Sequence, residues 1–498
     1  MWLIINFKFE ISPFFIPLWL IKFNKMERNI IGRDYEIQRL KELYQSKQPE
    51  FIAVYGRRRV GKTFIVREMF ENKITFDLVG LANATTKDQL VNFRITLNQT
   101  ANQNNSTPKN WLEAFVLLRK FLEKSKDKRK LVFIDEIPWL DTVRSDFLMA
   151  LEHFWNSWGC VQRNLMLVVC GSATSWIINK LINNHGGLHN RLTSTIVLRP
   201  FTLAETHKYL KFKKINWSVQ NLSECYMITG GVPFYLSQMK KEFSLAQNID
   251  HIFFNKESEL KDEFRNLYNS LFRNSEDYMK IVELLSKKNK GLTRKEIAEK
   301  TKLTTGGTLT TLLQNLEYCG FIRVYTPFGK TKRDVLYQLM DNFTLFHFKY
   351  LANNDFKDEH FWSKNLISPQ HNAWAGIAFE LVMLQHIKEI KHALGISGIQ
   401  SAVYSWRSED TENGAQIDLI IDRKDQMLNI CEIKYYQEQF MIKKDYEADL
   451  RHKLVCFREE TKTSKAINLV LLTTYGLKNN KYAGIIQKTV TIDDILRL

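Results

Sequence analysis

The stretch that most constrains the fold is FIAVYGRRRVGKTFIVREMFE, residues 51–71. An unbroken apolar run reads as a strand buried on both faces. A segment of the form G-x-x-x-x-G-K-T follows, Gly56 to Thr63, and then helical spacing with Phe64, Ile65, Met69 and Phe70 apolar. Strand, glycine loop and helix in that order make a phosphate cradle. Gly56 and Gly61 let backbone N–H groups turn inward, and the helix amino terminus adds its positive dipole end. Lys62 is placed to reach the β- and γ-phosphates, and the Thr63 hydroxyl to ligand Mg²⁺. Arg57, Arg58, Arg59 and Val60 within the loop, and Phe64 beyond it, complete the candidate nucleotide contacts. The three arginines occupy variable positions: either they add positive potential or they face a partner.

KLVFIDEIPWL, residues 130–140, supplies the second half of such a site. Four apolar residues end in Asp135 and Glu136, which places two acids at the carboxyl edge of a parallel sheet, where open α/β folds bind ligands. Asp135 is expected to hold Mg²⁺ through water and Glu136 to polarise the attacking water. A third strand in NLMLVVCGSATSW ends in Ser172 and Thr174, which either sense the γ-phosphate or cap the strand in solvent. A fourth, RLTSTIVLRPF, begins at Arg191, either a nucleotide-reaching arginine, in cis or on a neighbouring subunit, or a surface residue.

At 498 residues the chain exceeds one core, and two to four domains are expected. Its net charge of +17 favours polyanionic partners, nucleic acid first, with DNA the expected one, over a merely solvated lysine-rich surface. The six cysteines form no CxxC pair and read as reduced thiols of a cytoplasmic protein. Residues 1–25 are apolar but interrupted by Lys8, Glu10, Pro13, Pro17 and Lys22, short of the roughly 18 residues a spanning helix needs. They read as an extension ahead of a true start at Met26, or as a weak membrane-surface anchor, and no stable membrane insertion is expected.

The remaining organisation is an ATPase core over 26–200, a helical lid and connector over 201–275, a winged helix over 276–341 and an α/β domain over 342–498. HIFFNKESELKDEFRNLYNSLF, 251–272, reads as one long connector helix. Thr293 and Glu296 form a capping box. Thr304 to Tyr318 reads as a recognition helix, and Lys330, Lys332 and Arg333 sit on a wing where they would meet phosphates. The recognition helix carries no Arg or Lys, and winged helices also contact protein, so both partners stay open. In the last domain Asp418 lies on one strand, Glu432 and Lys434 at i and i+2 on the next, and Glu380 on a preceding helix. Such acids would bind Mg²⁺ for phosphodiester cleavage, with Lys434 positioning water; the alternative is a salt-bridged strand pair.

YGRRRVGKT, LVFIDEIPWL, CGSATSW, NRLTSTIVLRPF and GGVPFYL together resemble the archaeal-type ATPase family, a branch of the AAA+/STAND P-loop ATPases. The resemblance covers about residues 28–270 and implies ATP and Mg²⁺ as cofactors. It implies a five-stranded parallel core with the loop strand central, and a helical lid with a Gly-x-Pro turn at Gly231–Pro233. It further implies Gly32 and Arg33 near the adenine, a sensor role for Ser172 and an arginine-finger-like role for Arg191, with a homo-oligomer if that arginine works in trans. Residues 345–475, with Ser405-Trp406, Ile417-Asp418-Leu419 and Glu432-Ile433-Lys434, are similar to PD-(D/E)xK nuclease-like (restriction-endonuclease-like) domains, which also serve as binding modules. The combined expectation is an ATP-hydrolysing protein that binds DNA and either cuts it or acts as a signalling switch without cleavage.

Overall fold

The computed structural model describes residues 30–497 apart from 184–186, 189, 259, 273, 289, 332 and 411–412. The expectations for residues 1–25 and for Lys332 fall outside the described residues.

Five parallel strands form the first sheet: β1 (Glu50–Tyr55), β2 (Ile74–Val79), β3 (Lys130–Asp135), β4 (Leu165–Gly171) and β5 (Ser194–Val197), in the order β2-β3-β4-β1-β5. All residues of β1 and β4 are buried, as the unbroken apolar runs require when helices cover both faces. Helices α1 (Asp34–Gln45) and α2 (Lys62–Met69) cover one face. Helices α3 (Thr86–Ala101), α4 (Trp111–Lys124) and α5 (Phe147–Ser157) cover the other. The loop strand is not central: β4 takes the middle place and β1 lies between β4 and β5.

Beyond the sheet come α6 (Leu203–Phe212) and α7 (Val219–Thr229). The long helix expected over 251–272 is broken. Asn255 turns extended, its side chain accepting from the Glu257 N–H at 2.9 Å, so the chain leaves the helix and resumes only at α8 (Glu263–Leu271). Three helices follow, α9 (Ser275–Ser286), α10 (Arg294–Thr301) and α11 (Gly307–Tyr318), with a small antiparallel sheet of β6 (Leu292–Thr293), β7 (Ile322–Tyr325) and β8 (Leu336–Leu339) in the order β6-β8-β7. The Thr293–Glu296 capping box closes the start of α10. Helix α11 begins three residues later than the pattern suggests, because Arg294 holds the Gly306 carbonyl at 3.0 Å and that of Thr305 outside the helix.

The last part places α12 (Pro369–Gln385) and α13 (Lys444–Thr461) around a mixed sheet of β9 (Ser401–Arg407), β10 (Gln416–Arg423), β11 (Met427–Lys434), β12 (Ala466–Thr473) and β13 (Lys488–Thr491). Its order is β13-β12-β11-β10-β9; the β9–β10 and β10–β11 pairs are antiparallel and the β11–β12 and β12–β13 pairs parallel. One face packs Trp406, Ile420 and Leu471 against Leu450 and Phe457 of α13. The other joins a single apolar cluster running from Phe201 through Phe321 to Ile495, so the breaks near 275 and 341 divide sequence but not core. No helix among the described residues is long and apolar enough to cross a membrane.

Candidate nucleotide site and the carboxyl-terminal carboxylates

The loop after β1 has the backbone the motif demands. Gly61 is left-handed at φ 91°, and Gly56 at φ 149° sits so close to β5 that a Cβ there would lie 2.0 Å from the Leu198 carbonyl oxygen. Lys62 is buried, and its Nζ donates to the Arg57 carbonyl at 2.9 Å. Burial lowers its pKa; Asp135 and Glu136 are among the groups that pull it back up. A buried ammonium beside a helix amino terminus is a place prepared for an anion.

The strand-end residues converge on that cation. Thr63 Oγ1 donates to Asp135 Oδ2 at 2.7 Å, bringing together the hydroxyl and the carboxylate that would hold Mg²⁺. Glu136 stands in the left-handed region at φ 48°, and its Oε2 accepts from Ser172 Oγ at 3.0 Å and from the Ser172 N–H at 3.3 Å. Thr174 is buried rather than solvated, with its hydroxyl toward the Ser172 carbonyl. The residues present fit ATP and Mg²⁺: a glycine cradle, a buried cation, a hydroxyl–carboxylate pair and a second carboxylate.

Other expected contacts lie differently. Arg33 is buried, its Nη2 donating to the Val60 carbonyl at 3.2 Å and its guanidinium over the Phe201 ring at 4.6 Å, so it braces the loop. The Gly32–Arg33 turn rests on Glu205, which accepts from the Arg33 N–H at 2.9 Å. Phe64 is half exposed, and Arg191 is exposed ahead of β5 with its backbone N–H on the Leu188 carbonyl.

The loop arginines do face partners, and these come from distant sequence. Arg57 is ion-paired with Asp341, both fully buried, and lies over the Phe321 ring at 5.0 Å. Arg59 Nε meets Glu263 Oε1 at 2.6 Å, and its guanidinium lies 3.8 Å from the Phe234 ring centre. Arg58 reaches the Asn266 carbonyl at 3.3 Å. Sequence reading missed Asp341 and Glu263. The only local sign was Asp341 as an amino-terminal cap, accepting from the Thr344 N–H at 2.9 Å.

The carboxyl-terminal set does not assemble as a metal cage. Among the described residues no group of three or more His, Cys, Asp or Glu is placed to hold a metal ion. Glu432 is already neutralised by Lys453 at 2.6 Å and Lys434 at 3.2 Å, and it accepts from Tyr446 Oη at 2.5 Å. Burial pushes its pKa up, but the two lysines outweigh burial and hold the carboxyl below its usual range. Glu380 is pushed up to about 8, by burial first and by Asp418 second. Asp418 lies where β10 loses register with β9, between Ile417 and Ile420. The charge opposite these two acids is Arg323 of β7, half-buried, with Nε donating to Gln338 Oε1 at 2.7 Å. Among the described residues these acids are paired with lysines and face an arginine rather than being grouped around a common point.

The β7–β8 hairpin, where a wing was expected, is not free for phosphates either. Lys330 pairs with Glu409 at 2.5 Å, the Phe328 N–H donates to the Ser405 carbonyl at 2.7 Å, and the Phe328 ring packs on Tyr404 and Phe457 at 5.5 and 5.3 Å. Arg333 is exposed.

Residues 30–239 match the family described as an ATPase domain predominantly from Archaea. Over 416 residues the chain is 25% identical to an uncharacterized protein of Methanocaldococcus jannaschii, covering 81% of this chain and 87% of that one. Among solved structures it is similar to the Walker-type ATPase of Pyrococcus abyssi, with TM-score 0.47 and 16% identity over 65% of this chain and 97% of that one. It is also similar to the ORC2 protein of Aeropyrum pernix, with TM-score 0.39 and 11% identity over 73% and 98%. With the phosphate loop, the acid pair and the family match on the same residues, the amino-terminal part of this chain is a P-loop ATPase domain.

Proposed function

We propose that the protein is an ATP-driven switch that controls access of DNA to the winged-helix segment over 276–341. One observation carries this reading. The segment does not hang from a linker but sits on the nucleotide loop: Phe321 underlies Arg57, and Asp341, directly after β8, pairs with it. Whatever the loop binds is therefore felt by α11 and the hairpin.

Hydrolysis follows from the residues. Thr63 and Asp135 would hold Mg²⁺, which would supply neutralisation of the phosphate charge. Lys62 leaves the Arg57 carbonyl for the phosphates. Glu136 orients the attacking water, and Ser172 fixes Glu136 and exchanges that contact for the γ-phosphate. DNA would meet the exposed face of α11, with Thr308, Thr310, Thr311 and Gln314, together with a wing released from Glu409. The net charge of +17 favours that partner.

The occupied state of Glu432 and the Arg323 charge opposite Glu380 and Asp418 favour a binding role over cleavage for the carboxyl-terminal sheet. The test is duplex and single-strand DNA binding by wild type and Lys62→Ala with ATP and with ADP, beside a Mg²⁺-dependent cleavage assay. Binding that ignores the nucleotide in wild type, or cleavage lost in Glu432→Gln, overturns the reading.

A further inference from the structure

We propose that Arg57 and Arg59 form a two-point latch, onto Asp341 and Glu263, that holds the nucleotide loop in a low-affinity state until ATP competes it open. This rests on the nucleotide-switch reading above and names its regulation.

The latch joins parts that are far apart in sequence. Arg57 and Asp341 are separated by 284 residues and each is about 3% exposed. Glu263 at the start of α8 is fully buried; besides Arg59 it accepts from Tyr235 Oη at 3.0 Å. Both pairs are incompletely satisfied. Arg57 Nε and Nη2 and Glu263 Oε2 are buried with no hydrogen-bond partner among the described residues. Buried ion pairs with unfilled positions repay their desolvation poorly, and their best-attested use is to select one arrangement over another. Arg59 itself sits in the left-handed region at φ 70°, a conformation held by its surroundings.

The same loop must serve both states. Arg57 offers its guanidinium to Asp341 and its carbonyl to Lys62, so Lys62 bonds the loop rather than a phosphate. Moving Lys62 to the β- and γ-phosphates frees the Arg57 carbonyl and lets residues 57–59 rearrange, which pulls on both ion pairs. A ligand shifts such an equilibrium only through its unequal affinity for the two states, and the apparent Kd equals the intrinsic Kd divided by the fraction of molecules that are open. Weakening the latch must therefore tighten ATP binding.

The experiment measures the Kd for MgATP of wild type, Asp341→Asn, Glu263→Gln and the double variant, by fluorescence of a labelled analogue. Asn and Gln keep the acceptors for Thr344 and Tyr235 while removing the charge. In parallel, hydrogen exchange over 263–271 and 342–346 is followed in wild type with and without MgATP. The latch predicts a Kd at least about tenfold lower in the double variant, and faster exchange of both segments when wild type binds ATP. A Kd unchanged within twofold, or weaker, in folded variants overturns it. Should the variants not fold, unchanged exchange in ATP-bound wild type overturns it. Wild type that binds no ATP sinks the switch reading and the latch together; wild type that binds, with unresponsive variants, sinks the latch alone.

Discussion

Two glycines in the same loop predict different losses, and the contrast tests the loop geometry. Gly61 at φ 91° faces open space, so Gly61→Ala incurs only the backbone conformation, about 1–2 kcal/mol for a left-handed non-glycine residue. Gly56 at φ 149° carries that strain and more. Its Cβ would lie 2.0 Å from the Leu198 oxygen, where ordinary contact begins at 3.4 Å. The clashing atom is backbone, and the Leu198 N–H is tied to the Tyr55 carbonyl at 2.7 Å, so neither side can rotate away. Separating β1 from the end of β5 adds about 1–3 kcal/mol of overpacking strain, for a total of about 2–5 kcal/mol. At about 2–4 °C per kcal/mol for a domain of this size, Gly61→Ala lowers Tm by about 2–8 °C and Gly56→Ala by about twice that. Calorimetry of the nucleotide-free protein reads both. Equal shifts, or a milder Gly56→Ala, would refute the close approach of loop and β5.

Glu136→Gln should retain ATP binding and slow hydrolysis by about 10²–10⁴-fold, measured in a single turnover; an unchanged rate would remove Glu136 from the reaction. Phe328→Ala should lose about 1–3 kcal/mol in denaturant unfolding, because the tip of the β7–β8 hairpin packs on Tyr404 and Phe457; unchanged stability would show that the hairpin is not docked. The His347 imidazole stacks on Phe264 at 3.9 Å, and burial holds its pKa down to about 4. The unfolded chain takes this proton below pH about 6.5 while the folded chain stays neutral, so its stability contribution is intact above pH 6.5. It is lost as pH falls, by about 1.4 kcal/mol per pH unit down to about 4. Proton NMR of the ring should show that low midpoint, and titration near 6.5 would contradict its burial. Chelation with EDTA should leave Tm of the nucleotide-free protein unchanged, since Lys434 and Lys453 already neutralise Glu432; a drop of several degrees would mean a resident ion.

Local chemistry was legible in the sequence wherever it followed from spacing. The apolar run before Gly56, the acid pair after Ile134 and the small residues after Cys170 bring Lys62, Thr63, Asp135, Glu136 and Ser172 to one sheet edge. Strand order was not legible, because Leu165–Gly171 and Glu50–Tyr55 are both fully buried and periodicity does not separate the middle strand from its neighbour. The role of the loop arginines was hidden for a different reason. Nothing in the local spacing around Asp341 and Glu263 marks either as a partner of the loop, and only packing of α8, the hairpin and the loop makes them buried partners. The same is true of Lys330, which has the composition of a phosphate contact until Glu409 is set against it. Asp418, Glu432 and Lys434 have the sequence of a metal site. What alters their chemistry is Lys453, 21 residues beyond Glu432 on α13, and Arg323 on another sheet.

The central claim is that the nucleotide governs DNA access. It is tested most directly by measuring the Kd of the hydrolysis-deficient Glu136→Gln protein for one duplex, at fixed salt, with saturating MgATP and then with MgADP. The account predicts at least about a tenfold difference, tighter with ATP, that disappears in the Lys62→Ala background. Equal affinities in the two nucleotide states, with nucleotide binding confirmed in the same samples, would contradict it.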